Sequence, residues 1–154
     1  SMLATDQFPG ETHELFYWFF RHEDATKPVV LWLNGGPGAS SMFGLFLENG
    51  PLRVAQNGND FTVSRAERAW ADDYHVIYID QPINTGFSFG NHSLTSMADG
   101  ADEFVSFLVG FFQEYQDLST NQFYLTGESY AGKYLPLFTQ KILQHNKDTS
   151  SNTI

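Results

Sequence analysis

The 154-residue sequence contains no cysteine. The chain therefore has no disulfide, no thiol nucleophile and no thiolate metal ligand. Without cysteines, the sequence gives no indication of whether the protein works in an oxidising or a reducing compartment. Basic residues are also scarce, because 8 Lys and Arg stand against 18 Asp and Glu, for a net charge of −10. An acidic chain without a basic run is a poor match for nucleic acid or an anionic membrane, so we expect neither as a partner.

Long apolar runs are missing as well. None approaches the roughly 18 consecutive apolar residues of a membrane-spanning helix, so we expect no membrane span. What the chain does have is material for a core: 42% of its residues are hydrophobic and 16% are aromatic, including 15 Phe. This composition predicts an ordered domain and argues against disorder.

Four short apolar runs indicate strands. They cover residues 14–20, 28–35, 74–80 and 122–128. Near-continuous apolar runs are typical of strands buried on both faces, as in a parallel sheet. We predict that the first two strands pair as an antiparallel hairpin at one edge of the sheet. The strand at 122–128 is the last one, so we expect one of its sides to lack a partner.

Two helices follow from the spacing of apolar residues. The first predicted helix has one apolar face, formed by Met97, Ala101, Phe104, Leu108, Phe111 and Tyr115. The second begins just after Ser129, and its predicted buried side carries Tyr134, Leu135, Phe138 and Ile142. Residues 49–72 look irregular, with a turn at 57–61, and a polar tail starts at about residue 146. The alternation of strands and helices predicts an α/β fold with a mostly parallel sheet and helices on both faces.

Ser129 lies in the stretch "LTGESYAG", where a predicted strand runs directly into a helix. That context is typical of a nucleophile elbow, in which the next backbone N–H points at an oxyanion. The fifth place of the usual G-x-S-x-G pattern holds Ala131, and Gly132 follows. A serine that merely caps the helix N-terminus is the alternative interpretation.

Three other segments are weak signals when each is taken alone. In "LWLNGGPGASS" (31–41), consecutive glycines let backbone amides approach a ligand, although a plain Gly/Pro turn explains them equally well. In "LENGPL" (47–52), Glu48 alone would be a solvated charge. The segment "IDQPINTGFSFG" (79–90) alone would be a Pro/Gly loop after a strand.

Together with "GESYAGKYLP", these segments resemble the serine carboxypeptidases, an α/β-hydrolase family. The matching motifs stand in family order and span residues 32–136. The resemblance implies that residues 1–154 are one incomplete domain, the N-terminal half of an α/β-hydrolase fold. It also implies release of C-terminal residues from peptides or proteins through an acyl-enzyme, without cofactor or metal.

The resemblance implies a role for each matching residue. Ser129 would be the nucleophile, and the backbone N–H groups of Gly36 and Tyr130 would form the oxyanion hole. The substrate's C-terminal carboxylate would be held by Asn34, Gly35, Glu48 and Glu128. Two glutamates beside a bound carboxylate cannot all be ionised, so at least one would hold a proton. Such a site suits acidic pH, which is consistent with the lysosomal or vacuolar location that the family resemblance implies. A secreted location is the other expectation.

Two positions depart from the family pattern. Ala39 stands where the family usually has Cys, so a family disulfide is absent there. This absence weakens any inference to an oxidising compartment. Asn84 stands where Gly is more usual, which puts the local turn in question. The pattern "NHS" at 91–93 makes Asn91 a candidate glycosylation site.

The chain lacks an evident base for Ser129. In this fold the acid and then the histidine follow the serine, but here only His145 and Asp148 follow, in reverse order. The helix that starts at Ser129 would carry residue 145 roughly 24 Å away. The upstream histidines have no family role; they are His13, His22, His75 and His92. We therefore expect the catalytic Asp and His outside these residues, for example on a second chain.

Two alternatives stay open. A related acyltransferase or esterase could reuse the elbow, although Glu48 and Glu128 suit a free carboxylate better. A non-catalytic fragment with a vestigial site is the other alternative, because the base is missing.

Overall fold

A mixed sheet forms the centre of the fold. The computed structural model describes residues 1–5, 13–91, 94–149 and 154. The strands are, in chain order, β1 (Met2–Ala4), β2 (His13–Phe20), β3 (Val29–Leu33), β4 (Leu52–Asn57), β5 (Asp60–Arg65), β6 (His75–Ile79), β7 (Phe89–Gly90) and β8 (Phe123–Gly127). The main sheet has the order β1-β2-β6-β3-β8, with β7 also on β2, while β4 and β5 form a separate hairpin. β3 runs parallel to β6 and β8, and β2 runs antiparallel to β6.

Two long helices cover one face of this sheet. They are α1 (Met97–Glu114) and α2 (Ala131–Asp148), as the apolar spacing predicted. Their apolar sides pack with alternate strand residues into the larger core, and the rings of Phe104 and Phe138 stack 4.4 Å apart between them. α1 begins at a capping box, in which the Ser96 hydroxyl accepts from the Asp99 N–H and the Asp99 carboxylate accepts from the Ser96 N–H.

The opposite face of the sheet packs against a shorter element. Trp32, Val76 and Tyr78 form a second core there with Met42 and Leu45. A short helical segment, Gly44–Glu48, supplies part of this cover. Helical segments therefore lie on both faces, and the predicted α/β architecture is confirmed.

One predicted strand pairing is wrong. β2 and β3 do not form a hairpin, because β6 lies between them. All five residues of β3 are buried, which suits the interior of the sheet, whereas β2 alternates between buried and less buried residues near one edge. The connection from β2 to β3 therefore crosses over a neighbouring strand.

Residues 49–72 also differ from the expectation of irregular structure. They contain the hairpin β4–β5, whose turn is at the predicted "NGND" position. Every residue of β5 is exposed. Its sequence therefore has no buried apolar face that hydrophobic patterning could have detected. α2 continues to Asp148, so residues 146–148 belong to the helix and not to the predicted tail. Residues 150–153 lie outside the described part.

The last strand leaves one side of the sheet open. Within the described residues β8 pairs with β3 alone, as predicted, and the Tyr124 side chain on it is 48% exposed.

The helices of the described part include none that is long and apolar enough to cross a membrane.

Candidate active site

Ser129 lies at a sharp turn between β8 and α2. Its φ of +56° is in the left-handed region, which costs energy for any residue with a Cβ and often marks functional sites. The capping interpretation does not hold, because Tyr130 occupies the N-cap position and no side-chain cap is present. Among the described residues the exposed Ser129 hydroxyl has no hydrogen-bond partner, so it remains available to a ligand.

The glycine loop after β3 packs directly against this turn. A Cβ on the buried Gly35 would lie 2.5 Å from the Tyr130 nitrogen and 2.9 Å from the Glu128 carbonyl oxygen, so only glycine permits this approach. In the described part of the chain, the backbone N–H groups of Gly36 and Tyr130 donate to no acceptor. Two backbone donors are therefore left unused beside Ser129.

Asn34 connects two glutamates from distant parts of the chain. Its Nδ2 donates to Glu48 Oε1 at 3.3 Å and to Glu128 Oε1 at 3.0 Å. Its Oδ1 accepts from Trp32 Nε1 at 2.9 Å and from the Gly44 N–H at 3.0 Å. Because two donors occupy the oxygen, the amide can only present its NH₂ to the carboxylates. The structure thus brings together three of the residues predicted to bind a carboxylate.

Arg53 holds Glu48 in place from behind. Its guanidinium donates to the backbone oxygens of Glu48 and Gly50, both at 2.8 Å. Sequence analysis missed both Arg53 and Trp32. Trp32 could have been found, since residues i and i+2 of a strand share a face and Trp32 precedes Asn34 by two.

Asp80 fastens the glycine loop to the loop that follows β6. The fully buried carboxylate accepts from Ser40 Oγ at 2.6 Å, from the Ser41 N–H at 2.9 Å and from the Phe87 N–H at 3.0 Å. Asn84 in the same loop takes φ +66°, a conformation that Asn tolerates better than most residues. Asparagine in place of the usual glycine is therefore compatible with this turn.

The histidines of the described residues are engaged elsewhere. His13 Nδ1 lies 2.8 Å from Glu103 Oε1 in the core, and burial raises the pKa of Glu103. His75 Nδ1 accepts from the His22 N–H at 3.0 Å, and burial lowers the pKa of His75. His145 lies in the last turn of α2.

One predicted feature, the glycosylation pattern at Asn91, lies at the border of the described part. Asn91 is exposed, but His92 and Ser93 of its acceptor pattern lie outside the described residues. In the ranges that the structure describes, no cluster of three His, Asp or Glu residues could hold a metal ion.

Comparison with known proteins identifies close relatives. The sequence profile of the serine carboxypeptidases matches residues 6–154. Carboxypeptidase Y homolog A of Phaeosphaeria nodorum is 41% identical over 139 residues, which cover 89% of this chain and 25% of that protein. Venom serine carboxypeptidase of Apis mellifera is 46% identical over 138 residues, which cover 86% of this chain and 29% of that protein.

A solved structure is similar as well. The prohormone-processing carboxypeptidase of Saccharomyces cerevisiae superposes with a TM-score of 0.83 at 34% identity. The alignment covers 94% of this chain and 32% of that one. The chain therefore spans about a quarter to a third of the length of the relatives that it matches.

Proposed function

The chain belongs to the serine carboxypeptidase family and has its α/β-hydrolase fold, and from this premise we propose that the complete protein removes C-terminal residues from peptides. The observation that carries the proposal is the Asn34 amide, which joins Glu48 and Glu128 beside the Ser129 turn. An endopeptidase or a general esterase has no need for such a group at its nucleophile. A carboxypeptidase needs it to bind the free C-terminus.

Ser129 would be the nucleophile. Its oxygen attacks the carbonyl carbon of the last peptide bond, and the N–H groups of Gly36 and Tyr130 stabilise the resulting oxyanion. The C–N bond then breaks, the terminal amino acid leaves with a proton on its nitrogen, and the acyl group stays on Ser129. Water hydrolyses this ester, so the shortened peptide leaves as a carboxylic acid and a proton returns to the Ser129 oxygen.

The substrate's C-terminal carboxylate would be bound by Asn34, Glu48 and Glu128, with Gly35 allowing its close approach. Three carboxyl groups at one site repel each other when all are ionised. A proton shared among them converts this repulsion into hydrogen bonding, because a protonated carboxyl donates. This requirement favours activity at acidic pH, and with it a lysosomal, vacuolar or secreted location.

The base for Ser129 would come from residues beyond these 154. The rings of His13 and His75 already make the contacts described above, and His22 Nδ1 accepts from the Asp24 N–H at 2.9 Å. We propose that an Asp and a His reach Ser129 from another part of the complete protein or from a second chain. Glycosylation at Asn91 would accompany a secretory route, and mass spectrometry of protein from its natural host tests it.

Release of the C-terminal amino acid from an N-blocked dipeptide near pH 5 tests the proposal. The complete protein should turn over this substrate, and Ser129→Ala should lower kcat by roughly 10⁴–10⁶. Ser64→Ala, at an exposed strand position, is the matched control and should keep full activity. Turnover by the Ser129→Ala variant would exclude Ser129 as the nucleophile.

The 154-residue chain alone should not cleave the same dipeptide. If it matched the rate of the complete protein, a base would exist within these residues, and His75 or His92 would be the candidates.

A further inference from the structure

A cavity of ≈ 220 Å³ lies next to the Ser129 turn, and the proposed reaction does not use it. We call it the α1 cavity, because the first turn of α1 forms one wall. Its lining also includes Tyr130, which follows Ser129, and Pro37, together with Gln81, Tyr134 and Phe138. The volume is several times the space of one water molecule, which takes about 30 Å³ in the liquid.

Two buried hydrogen-bond donors in this cavity find no acceptor among the described residues. Gln81 and Tyr134 are only 3% and 5% exposed. In the described part of the chain, neither Gln81 Nε2 nor the Tyr134 hydroxyl donates a hydrogen bond. The Gly38 N–H faces the Tyr134 oxygen, and burial raises the pKa of this tyrosine, so its proton remains to be donated. Because nearly all buried polar groups in native proteins are paired, these two donors point to a ligand with an acceptor.

The charges around the cavity favour an uncharged acceptor. Among the described residues, those that line the cavity include no Lys and no Arg. The acidic residue in the first turn of α1 is Asp99, whose carboxylate accepts from the Ser96 N–H and from Thr95 Oγ1. This negative charge offsets the attraction of the helix N-terminus for an anion. A carboxylate ligand is therefore disfavoured.

The side-chain amide of Gln81 indicates which uncharged group would fit the cavity. A primary carboxamide has one acceptor and two donors, so it pairs reciprocally with another carboxamide in either orientation. The Tyr134 hydroxyl can donate a second hydrogen bond to the ligand's carbonyl oxygen. Phe138 and Pro82 offer apolar walls to the methylene groups that carry the carboxamide.

We propose that the α1 cavity is a subsite for the side-chain carboxamide of Gln or Asn on the acyl side of the scissile bond. The inference rests on the proposed function, since the peptide held at Ser129 supplies the side chain. The route is short: Tyr130 follows the nucleophile, and its ring lies 5.2 Å from that of Tyr134. Pro37, which follows Gly36, also lines the cavity.

The test uses the complete protein and three N-blocked dipeptides with the same C-terminal residue. Their acyl residues are Gln, its charged isostere Glu, and Met, which has a similar length but no carboxamide. We expect kcat/KM for the Gln peptide to exceed that for both others by at least about tenfold. Tyr134→Phe should reduce the Gln-to-Met ratio by about tenfold, and Gln81→Met should bring it close to one.

Tyr124→Phe on β8 is the matched control, because it removes a tyrosine hydroxyl outside the cavity, and its ratio should stay at the wild-type value. Equal rates for the Gln and Met peptides would mean that the cavity holds only water, and would overturn the proposal. A preference for Glu would overturn it as well. Failure to release an amino acid from any of the three peptides would instead contradict the proposed function.

Discussion

At the scale of single residues, Trp32 orients the Asn34 amide. Trp32→Phe keeps an aromatic ring in the core but removes the donor to Asn34 Oδ1. We expect KM for the N-blocked dipeptide to rise by roughly tenfold, with a smaller change in kcat, since a lost hydrogen bond to a buried group costs about 1–3 kcal/mol. Trp18→Phe, at a half-exposed position on β2, is the control. Equal KM values for the two variants would show that Asn34 holds its orientation without Trp32.

A second residue, His75, makes stability depend on pH. Because burial lowers its pKa in the folded state, the unfolded chain binds a proton more readily. Unfolding is therefore favoured as pH falls below about 6.5, the unfolded value, by at most about 1.4 kcal/mol per pH unit. His75→Asn keeps an acceptor for the His22 N–H and should flatten the dependence.

Urea unfolding of the complete protein at pH 7 and pH 5 measures this difference. Ser64→Ala, at an exposed strand position without a titratable group, is the control and should leave the slope as in the wild type. A slope unchanged by His75→Asn would assign the acid sensitivity to other groups.

Sequence analysis singled out the candidate site residues that belong to motifs. It missed residues such as Trp32 and Arg53, which hydrogen-bond to Asn34 and to the Glu48 backbone. Ser129, Asn34, Glu48 and Glu128 stand in recognisable patterns, and the structure gathers them around one turn. Asp80 stands in such a motif too, but its partners are backbone and hydroxyl groups of another loop, and no spacing rule connects the two loops. Contacts of this kind depend on the tertiary fold.

At the scale of elements, the close approach of the glycine loop to the strand–helix turn controls the site. Gly35→Ala would force the two apart, because its Cβ meets the backbone of residues 128 and 130. We expect a loss of kcat of about 10²-fold for a displacement near 1 Å, and a loss of stability of about 1–3 kcal/mol. Gly132→Ala is the matched control, since a Cβ there meets nothing within 4 Å and favours the helix.

Dipeptide hydrolysis and thermal unfolding of both glycine variants check this prediction. An active Gly35→Ala protein would show that the loop can retreat without disturbing the oxyanion donors.

The elements themselves were largely predictable, and their arrangement was less so. The apolar faces of α1 and α2 follow a 3.6-residue period, which their own residues specify. The order of the strands depends on which strand is buried on both faces. β3 takes the interior for that reason, and the short connection from β2 gave a misleading signal. β4 and β5 form a hairpin with little burial, so hydrophobic patterning could not mark it.

At the scale of the whole molecule, we expect the open side of β8 to be a site for association. On that side its backbone groups have no partner strand in the part of the chain that the structure describes. The strand adjoins a groove of ≈ 570 Å³ lined by Val30, Trp70, Tyr74 and Tyr124. We expect the isolated 154-residue chain to self-associate by strand pairing at micromolar concentration, and Tyr124→Lys to reduce this association by at least about tenfold.

Light scattering across a dilution series measures the association. Phe61→Lys removes a more exposed ring from the separate hairpin and should have a smaller effect. If it dispersed the chain as well as Tyr124→Lys does, general hydrophobicity and not the open strand would drive association.

Glu48 and Glu128 share the Asn34 amide, and this arrangement couples the binding of a further carboxylate to the uptake of a proton. A third carboxylate arriving at this amide would draw a proton from the buffer. The heat of binding a free amino acid should then vary with the ionisation enthalpy of the buffer, and the slope of that variation counts the protons taken up. If the proposed carboxypeptidase reaction takes place here, the surrounding acidity would set how readily each released amino acid departs, and a rise in pH would clear the site of its own product.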